Sequence, residues 1–190
     1  IFPACFVNYN NPSLGHITKK ILDEFGVENK FIYEGCCGMP QLEGGDIESV
    51  TNKANQTSKK LKDYIDNGYK ILSIVPSCTL MLKYEWPLLL PSSEEVKYLS
   101  QNTFDICEYL VKLINTEKLF DKMKPLNKDE TISLHISCHS RAQNIGQKAT
   151  ELLRLIPEIK LDVIERCSGH GGSWGIKKDN FKMAIKVGKP

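Results

Sequence analysis

The sequence predicts an α/β fold: two pseudo-duplicated β-α-β units with mostly parallel sheets and cysteine sites at the C-terminal strand ends. Three observations predict it. A shift of 131 residues superposes Gly15 on Gly146, Leu22 on Leu153, Ile32 on Val163, Glu34 on Glu165, Cys36 on Cys167, Gly38 on Gly169 and Gly44 on Gly175, while Cys5 meets Cys138 at a shift of 133. Such self-similarity at one spacing marks a duplicated supersecondary unit. Short apolar runs alternate with amphipathic stretches, as strands and crossover helices do in a parallel sheet. Every cysteine except Cys107 falls where such a run ends, and open parallel sheets gather their ligands outside the C-terminal strand edges.

In the first copy a strand runs into Cys5. Asn11-Pro12-Ser13 starts a helix, because proline is tolerated in the first turn, and Gly26 stops the apolar set Leu14, Ile17, Ile21, Leu22 and Phe25. Phe31 to Tyr33 is expected as the second strand, leading into the loop that opens with Cys36-Cys37-Gly38. Asp46 then caps a polar helix ending near Gly68, and the apolar strand Ile71 to Val75 runs into Pro76-Ser77-Cys78. Ser92-Ser93-Glu94-Glu95 reads as an N-cap and acidic first turn for one helix through Leu113. The charged connection Lys118 to Glu130 leads into the second copy, which sets the units at 1–117 and 118–190. There Ile132, Leu134 and Ile136 alternate toward Cys138, a helix carries Ile145, Leu152, Leu153 and Leu155, and Leu161, Val163 and Ile164 form the next strand.

Composition narrows the function. The 190 residues are 41% hydrophobic, enough to bury a core, and 25 Lys+Arg stand against 23 Asp+Glu. A net charge of +2 gives no electrostatic reason to expect nucleic acid as a partner or attraction to an anionic membrane. The apolar run Trp86 to Leu90 contains Pro87 and is far short of the roughly 20 residues that span a bilayer. The chain begins Ile1-Phe2-Pro3 without a basic or leader-like segment, so no targeting peptide is expected and the chain is read as a fragment. No Ser/His/Asp order or nucleophile elbow supports a hydrolase.

Seven cysteines, an odd number with Cys36 and Cys37 adjacent, argue against a disulfide framework and for thiols that serve as redox groups or metal ligands. Cys5, Cys36, Cys37 and Cys78 come from three strand ends, which a parallel sheet can bring to one point. Soft thiolates so gathered favour an iron-sulfur cluster or zinc. Adjacent cysteines point apart on an extended chain, so Gly35 and Gly38 matter: they permit φ values that turn both sulfurs one way. Two other readings of Cys36-Cys37 stay open, a redox disulfide and unreactive loop thiols. Cys107, with no partner nearby in sequence, reads as core packing.

The run Cys36-Cys37-Gly38-Met39-Pro40 has several companions. Pro3-Ala4-Cys5 stands with Asn8-Tyr9-Asn10-Asn11-Pro12, Pro76-Ser77-Cys78-Thr79 forms a turn, and Arg166-Cys167-Ser168-Gly169 stands with Trp174-Gly175-Ile176-Lys177-Lys178. Together these resemble the cysteine-rich CCG-domain family over essentially the whole chain. The resemblance is foremost to the C-subunit type of anaerobic glycerol-3-phosphate dehydrogenase, with the heterodisulfide reductase B subunits and the iron-sulfur subunits of glycolate and lactate oxidation as wider relatives. It implies an iron-sulfur electron-transfer module between a flavoprotein dehydrogenase and a quinone or other acceptor. It further implies a cytoplasmic location, peripheral at the inner face of the membrane, with a quinone or membrane-anchor contact. Cys5, Cys36, Cys37 and Cys78 would hold a [4Fe-4S] cluster. The family pattern ends in Cys-x-x-Cys, and Met81 stands where its last thiolate belongs. Four ligands suit an ordinary cluster or a zinc ion better than disulfide-cleaving chemistry.

The second copy departs further. Ser168 replaces the second cysteine of the pair, leaving Cys138 and Cys167 with His139 or His170, and the counterpart of Cys78 is expected near position 209. A mixed Cys/His set favours zinc. His16 and His135 read as structural. The loop Gly169 to Gly175 lacks the glycine of a dinucleotide fingerprint and the lysine of a phosphate loop, so it reads as backbone wrapping a metal site, with Trp174 as its shield or as core. Two competing functions remain: a zinc-stabilised docking scaffold that carries no electrons, and a heterodisulfide-reductase-like thiol/disulfide redox protein.

Overall fold

A computed structural model describes residues 1–126, 130–172 and 174–189. Parts of the expected charged connection (127–129) and of the glycine loop (Ser173) lie outside the described residues. The chain divides into two compact units, Ile1–Lys122 and Met123–Pro190. The fold is α/β, and both sheets are parallel.

In the first unit the N-terminal segment, β1 (Ile71–Ser73) and β2 (Thr103–Asp105) lie side by side. Phe2 forms a parallel bridge to Ser73, donating its N–H to the Leu72 carbonyl at 2.8 Å, and Ile71 to Ser73 pair in register with Thr103 to Asp105. All three residues of β1 are buried, as a strand covered on both faces must be. Helices α1 (Ala4–Tyr9), α2 (Pro12–Glu24), α3 (Met39–Glu43) and α4 (Ile47–Asp66) precede β1. Asn11 is the N-cap of α2 with Pro12 in its first turn, and Asp46 caps α4 by accepting the Ser49 N–H at 3.1 Å. The buried stripe of α2 is Gly15, Thr18 and Leu22, while Ile17 and the flanking Leu14 and Ile21 are exposed. Small residues on the inner side let α2 approach Val7 and Phe31 closely, so Leu14, Ile17 and Ile21 of the expected apolar set turn outward while Leu22 packs inside.

After β1, α5 (Pro76–Leu80) runs through a π-helical turn (Met81–Glu85) into α6 (Trp86–Leu89). Pro87 has no N–H and leaves the Lys83 carbonyl without its helical donor. The Ser100 hydroxyl, from α7 (Glu94–Gln101), supplies one at 2.6 Å, and the irregular turn absorbs the ring. The proline therefore passes through a helix that carries Trp86 into the core. Trp86, Phe2, Leu61, Met81, Leu82 and Leu99 are all essentially inaccessible, and Cys37 and Cys78 belong to the same cluster. Full burial of each large apolar side chain contributes about 1.5–3 kcal/mol.

Two expectations fail here. Phe31 to Tyr33 is not a strand: residues 27–37 carry no helix or strand, and Ile32 donates to the Ile1 carbonyl at 2.9 Å without a ladder. Nor does one helix reach Leu113. Asn102 ends α7, Thr103–Asp105 forms β2, and Asp105 then caps α8 (Ile106–Glu117) in a capping box with Glu108. Pairing with β1 overrides a helical pattern across those three residues, and it leaves Cys107 just past a strand end after all.

In the second unit β3 (Thr131–His135) pairs in parallel with β4 (Lys160–Ile164), and α9 (Cys138–Ala142), α10 (Lys148–Arg154) and α11 (Phe181–Gly188) complete it. Both strands alternate exposed and half-buried residues. Ile145 lies ahead of α10, outside the helix expected to carry it.

Candidate functional site

Each thiol of the first unit's candidate site sits in the first turn of a helix or just ahead of one. Cys5 is in the first turn of α1, Cys36 and Cys37 lead into α3, and Cys78 is in α5, just past β1. Helix starts present free N–H groups and positive partial charge, which favour a thiolate. The backbone reaches these places under constraint. Ala4 is held at φ 62°, a left-handed conformation unusual for a residue with a Cβ, and Gly35 and Gly38 take φ 100° and 89°. The two glycines turn the adjacent cysteines as their placing in the sequence requires.

The sulfurs form a chain of neighbours. Cys5 Sγ lies 3.8 Å from Cys36 Sγ; Cys37 in turn meets the side chains of Cys36 and Cys78. Exposure falls along the chain: Cys5 and Cys36 are half-buried, whereas Cys37 and Cys78 are 2% and 3% exposed. Backbone N–H groups point at three of them: Phe6 at Cys5, Gly38 at Cys36 over 3.5 Å, and Met39 at Cys37. Trp86 Nε1 donates to the Cys37 carbonyl at 3.1 Å in a buried contact. Met81, at the position of the family's last cysteine, is fully buried with its methyl near Gly38.

Thiols this close oppose one another's ionisation. Burial, then the Cys36 charge, pushes Cys5 up, against the Phe6 N–H. Contact with Cys37, then burial, raises Cys36. The Cys36 thiol pulls Cys37 down, but Cys78 and burial outweigh it and the net shift is upward. The cluster is therefore a set of thiols that only a bound cation would turn into thiolates, with proton release. Among the described residues no three His, Cys, Asp or Glu side chains already converge closely enough to hold a metal ion. The donor set nonetheless fits one in chemistry: four soft sulfurs, two of them dry, with N–H groups directed at three.

Tyr9 and Tyr33, to which the sequence assigned no role at the site, stand near Cys5 and Cys36. Their rings meet edge to face at 5.7 Å, and burial together with the Tyr9 hydroxyl pushes Tyr33 up to about 12, with Cys5 and Cys36 adding to the shift. The signal in the sequence was spacing alone: Tyr9 falls one helical turn after Cys5. Trp86 was likewise legible only as part of an apolar run.

The second unit repeats the local turn. The Gly169 N–H points at Cys167 Sγ over 3.4 Å, as Gly38 does at Cys36, and Gly169 has φ 72°. Cys138 and Cys167 are exposed, Cys138 beside the Arg141 guanidinium at 4.0 Å. His170 is exposed with its N–H on Ser168 Oγ, and His139 is half-buried in α9. The structure brings neither histidine to a cysteine in any described contact. His135 Nε2 lies 2.7 Å from the Arg166 carbonyl oxygen, and His16 packs edge to face on Phe31. Cys107 is pushed up to about 12 by burial and then by Asp105. A cavity of about 310 Å³ beside Lys30, Tyr64 and Tyr69 touches none of the cysteines.

Fold and site together define a cysteine-rich α/β domain whose first-unit thiols collect near helix starts. Residues 1–83, which lie within the first unit, match the model of the CCG cysteine-rich domain. The chain is 28% identical over 192 residues to the C-subunit of anaerobic glycerol-3-phosphate dehydrogenase from Escherichia coli strain K12, covering 100% of this chain and 47% of that protein. It is 27% identical over 199 residues to the D-subunit of dihydromethanophenazine:CoB–CoM heterodisulfide reductase from Methanosarcina barkeri, covering 99% of this chain and 46% of that protein. It is also 24% identical over 186 residues to lactate utilization protein A from Bacillus pumilus, covering 93% of this chain and 74% of that protein. The chain thus spans about half the length of the first two relatives. No solved structure matches it. Among the described residues no helix is long and apolar enough to cross a membrane.

Proposed function

We propose that this chain is an iron-sulfur electron-transfer module, with Cys5, Cys36, Cys37 and Cys78 as ligands of one [4Fe-4S] cluster. The observation that carries the reading is the run of four neighbouring thiols drawn from three separate stretches of chain, with N–H groups directed at their sulfurs. Such a cluster supplies one-electron transfer when bound. The chain's own residues then do three things. Trp86 and the core exclude water from Cys37 and Cys78, the Phe6, Gly38 and Met39 N–H groups stabilise negative sulfur, and Tyr9 and Tyr33 leave one edge near the surface, where a partner can approach. Burial and hydrogen bonds to sulfur set the potential.

The subunit and reductase names of the relatives support a place in a multi-subunit complex; in this reading the donor is a flavoprotein dehydrogenase, the acceptor a quinone or another group, and the module is peripheral at the cytoplasmic face of the membrane. Residues 118–190 are read as a degenerate second copy. There Cys138 and Cys167, with His139 or His170, would take zinc if they take a metal. Cysteines that suppress one another's ionisation are poor nucleophiles, which counts against direct thiol/disulfide exchange.

One observation favours the zinc scaffold as a second reading for the first site. The 3.8 Å between Cys5 and Cys36 sulfurs is also the edge of a tetrahedron with Zn–S bonds of about 2.3 Å. Anaerobic purification with iron, zinc and sulfide analysis separates the two. The electron carrier yields iron with acid-labile sulfide and a visible absorbance that Cys37→Ser abolishes; zinc without sulfide, or colour and iron unchanged in Cys37→Ser, defeats it.

A further inference from the structure

The stretch that carries Cys36 has no ladder to hold it in place, and Ile32 and Cys37 anchor it in the core. Residues 27–37 belong to no helix or strand, and Gly35, between Tyr33 and Cys36, has no neighbour within 4 Å of where a Cβ would stand. Besides the burial of Ile32 in the core, three described contacts hold residues 32–35: the Ile32 N–H on the Ile1 carbonyl, an exposed Lys60–Glu34 ion pair at 2.7 Å, and the Tyr9–Tyr33 ring contact. An exposed ion pair of that kind holds weakly. Of the three, only the tyrosine contact ties the stretch to α1, the helix that carries Cys5.

The sulfur contact and the ring contact form parallel rungs. Tyr9 follows Cys5 by four residues on α1, so both lie on one face of that helix. Tyr33 precedes Cys36 by three residues across the gap. One rung is the sulfur pair at 3.8 Å; the other is the ring pair at 5.7 Å with planes 87° apart, an edge-to-face arrangement that attracts beyond its buried area. Tyr9 is 69% exposed and Tyr33 half-buried, so the ring pair reaches the surface, as the two half-buried thiols do.

We propose that Tyr9 and Tyr33 are a positioning pair that holds the Cys5 and Cys36 sulfurs at ligand spacing. The proposal rests on the metal-site reading above. The influence of Cys5 and Cys36 on the Tyr33 hydroxyl agrees with it. A ligand pair pre-set by its supports binds metal more tightly than one that must first be ordered.

The test uses the metal-free, reduced chain with Co²⁺ as the probe, read through the thiolate-to-cobalt charge-transfer band, and iodoacetamide labelling mapped by peptide. Tyr33→Leu and Tyr9→Leu are expected to weaken Co²⁺ binding by about 10- to 100-fold, the range for loss of a ligand's support, and to lower the band intensity per cobalt. Tyr33→Phe, which keeps the ring edge, is expected to restore most of the affinity. Cys5 and Cys36 should label faster together in the Leu variants, while Cys107 keeps its rate. Wild-type cobalt affinity and unchanged labelling in the Leu variants overturn the proposal. Absence of any thiolate–cobalt band in the wild type defeats the metal reading instead, and the labelling rates still decide the tyrosine pair. Should Tyr33→Leu lose helical circular dichroism, Tyr9→Leu, which removes an exposed ring, decides by the same two readouts.

Discussion

Trp86 and Cys37, 49 residues apart in sequence, are joined by a buried hydrogen bond in which the indole Nε1 donates to the Cys37 carbonyl at 3.1 Å. The bond fastens the turn that carries the adjacent cysteines to the helix that follows β1. Trp86→Phe keeps most of the ring but strands that carbonyl in the core, and an unsatisfied buried acceptor costs about 1–3 kcal/mol. Urea unfolding of the variant should show a stability lowered by that amount, and an unchanged midpoint would mean that water or another donor replaces the indole.

Asp105 gives a pH dependence with a definite sign. Its carboxyl is buried at the end of β2, and burial raises its ionisation above the ordinary range, against the Cys107 and Glu108 N–H groups that pull it down. An acid with a raised folded-state pKa binds more protons folded than unfolded between the two values. Its contribution is therefore greatest at low pH and is lost as pH rises from about 4 through the folded value. Asp105→Asn still caps α8 but has no charge to bury. Denaturation from pH 4 to 8 should show the variant gaining on the wild type as pH rises; a difference that stays flat contradicts the buried charge.

Thiol accessibility orders the reactivity of the metal-free chain. Cys138 and Cys167 are exposed, Cys5 and Cys36 half-buried, Cys37 and Cys78 nearly inaccessible. Timed iodoacetamide labelling under reducing conditions should modify them in that order, with Cys138 helped by the nearby Arg141. Early modification of Cys37 or Cys78 would show that the core around Trp86 opens readily.

Much of this was legible in the residues because it is local. Asp46 as a cap, Pro12 in a first turn, Gly26 as a stop, and glycines flanking the cysteine pair each act within a few residues of themselves. What failed was non-local. Thr103 to Asp105 sit between two helical patterns and become a strand only because β1 lies alongside. Phe31 to Tyr33 look like a strand but have no partner ladder along their length. The outward turn of Leu14, Ile17 and Ile21 depends on how closely Gly15 lets α2 approach Val7.

By itself the sequence determined the parallel α/β class and the placing of Cys5, Cys36, Cys37 and Cys78 near helix starts, since periodicity, caps and glycines act along the chain. Only the tertiary structure decided which thiols meet, that Trp86 holds the Cys37 carbonyl, and that Tyr9 packs on Tyr33. Those relations join stretches tens of residues apart, and they arise from burying one shared core, a property no single segment carries.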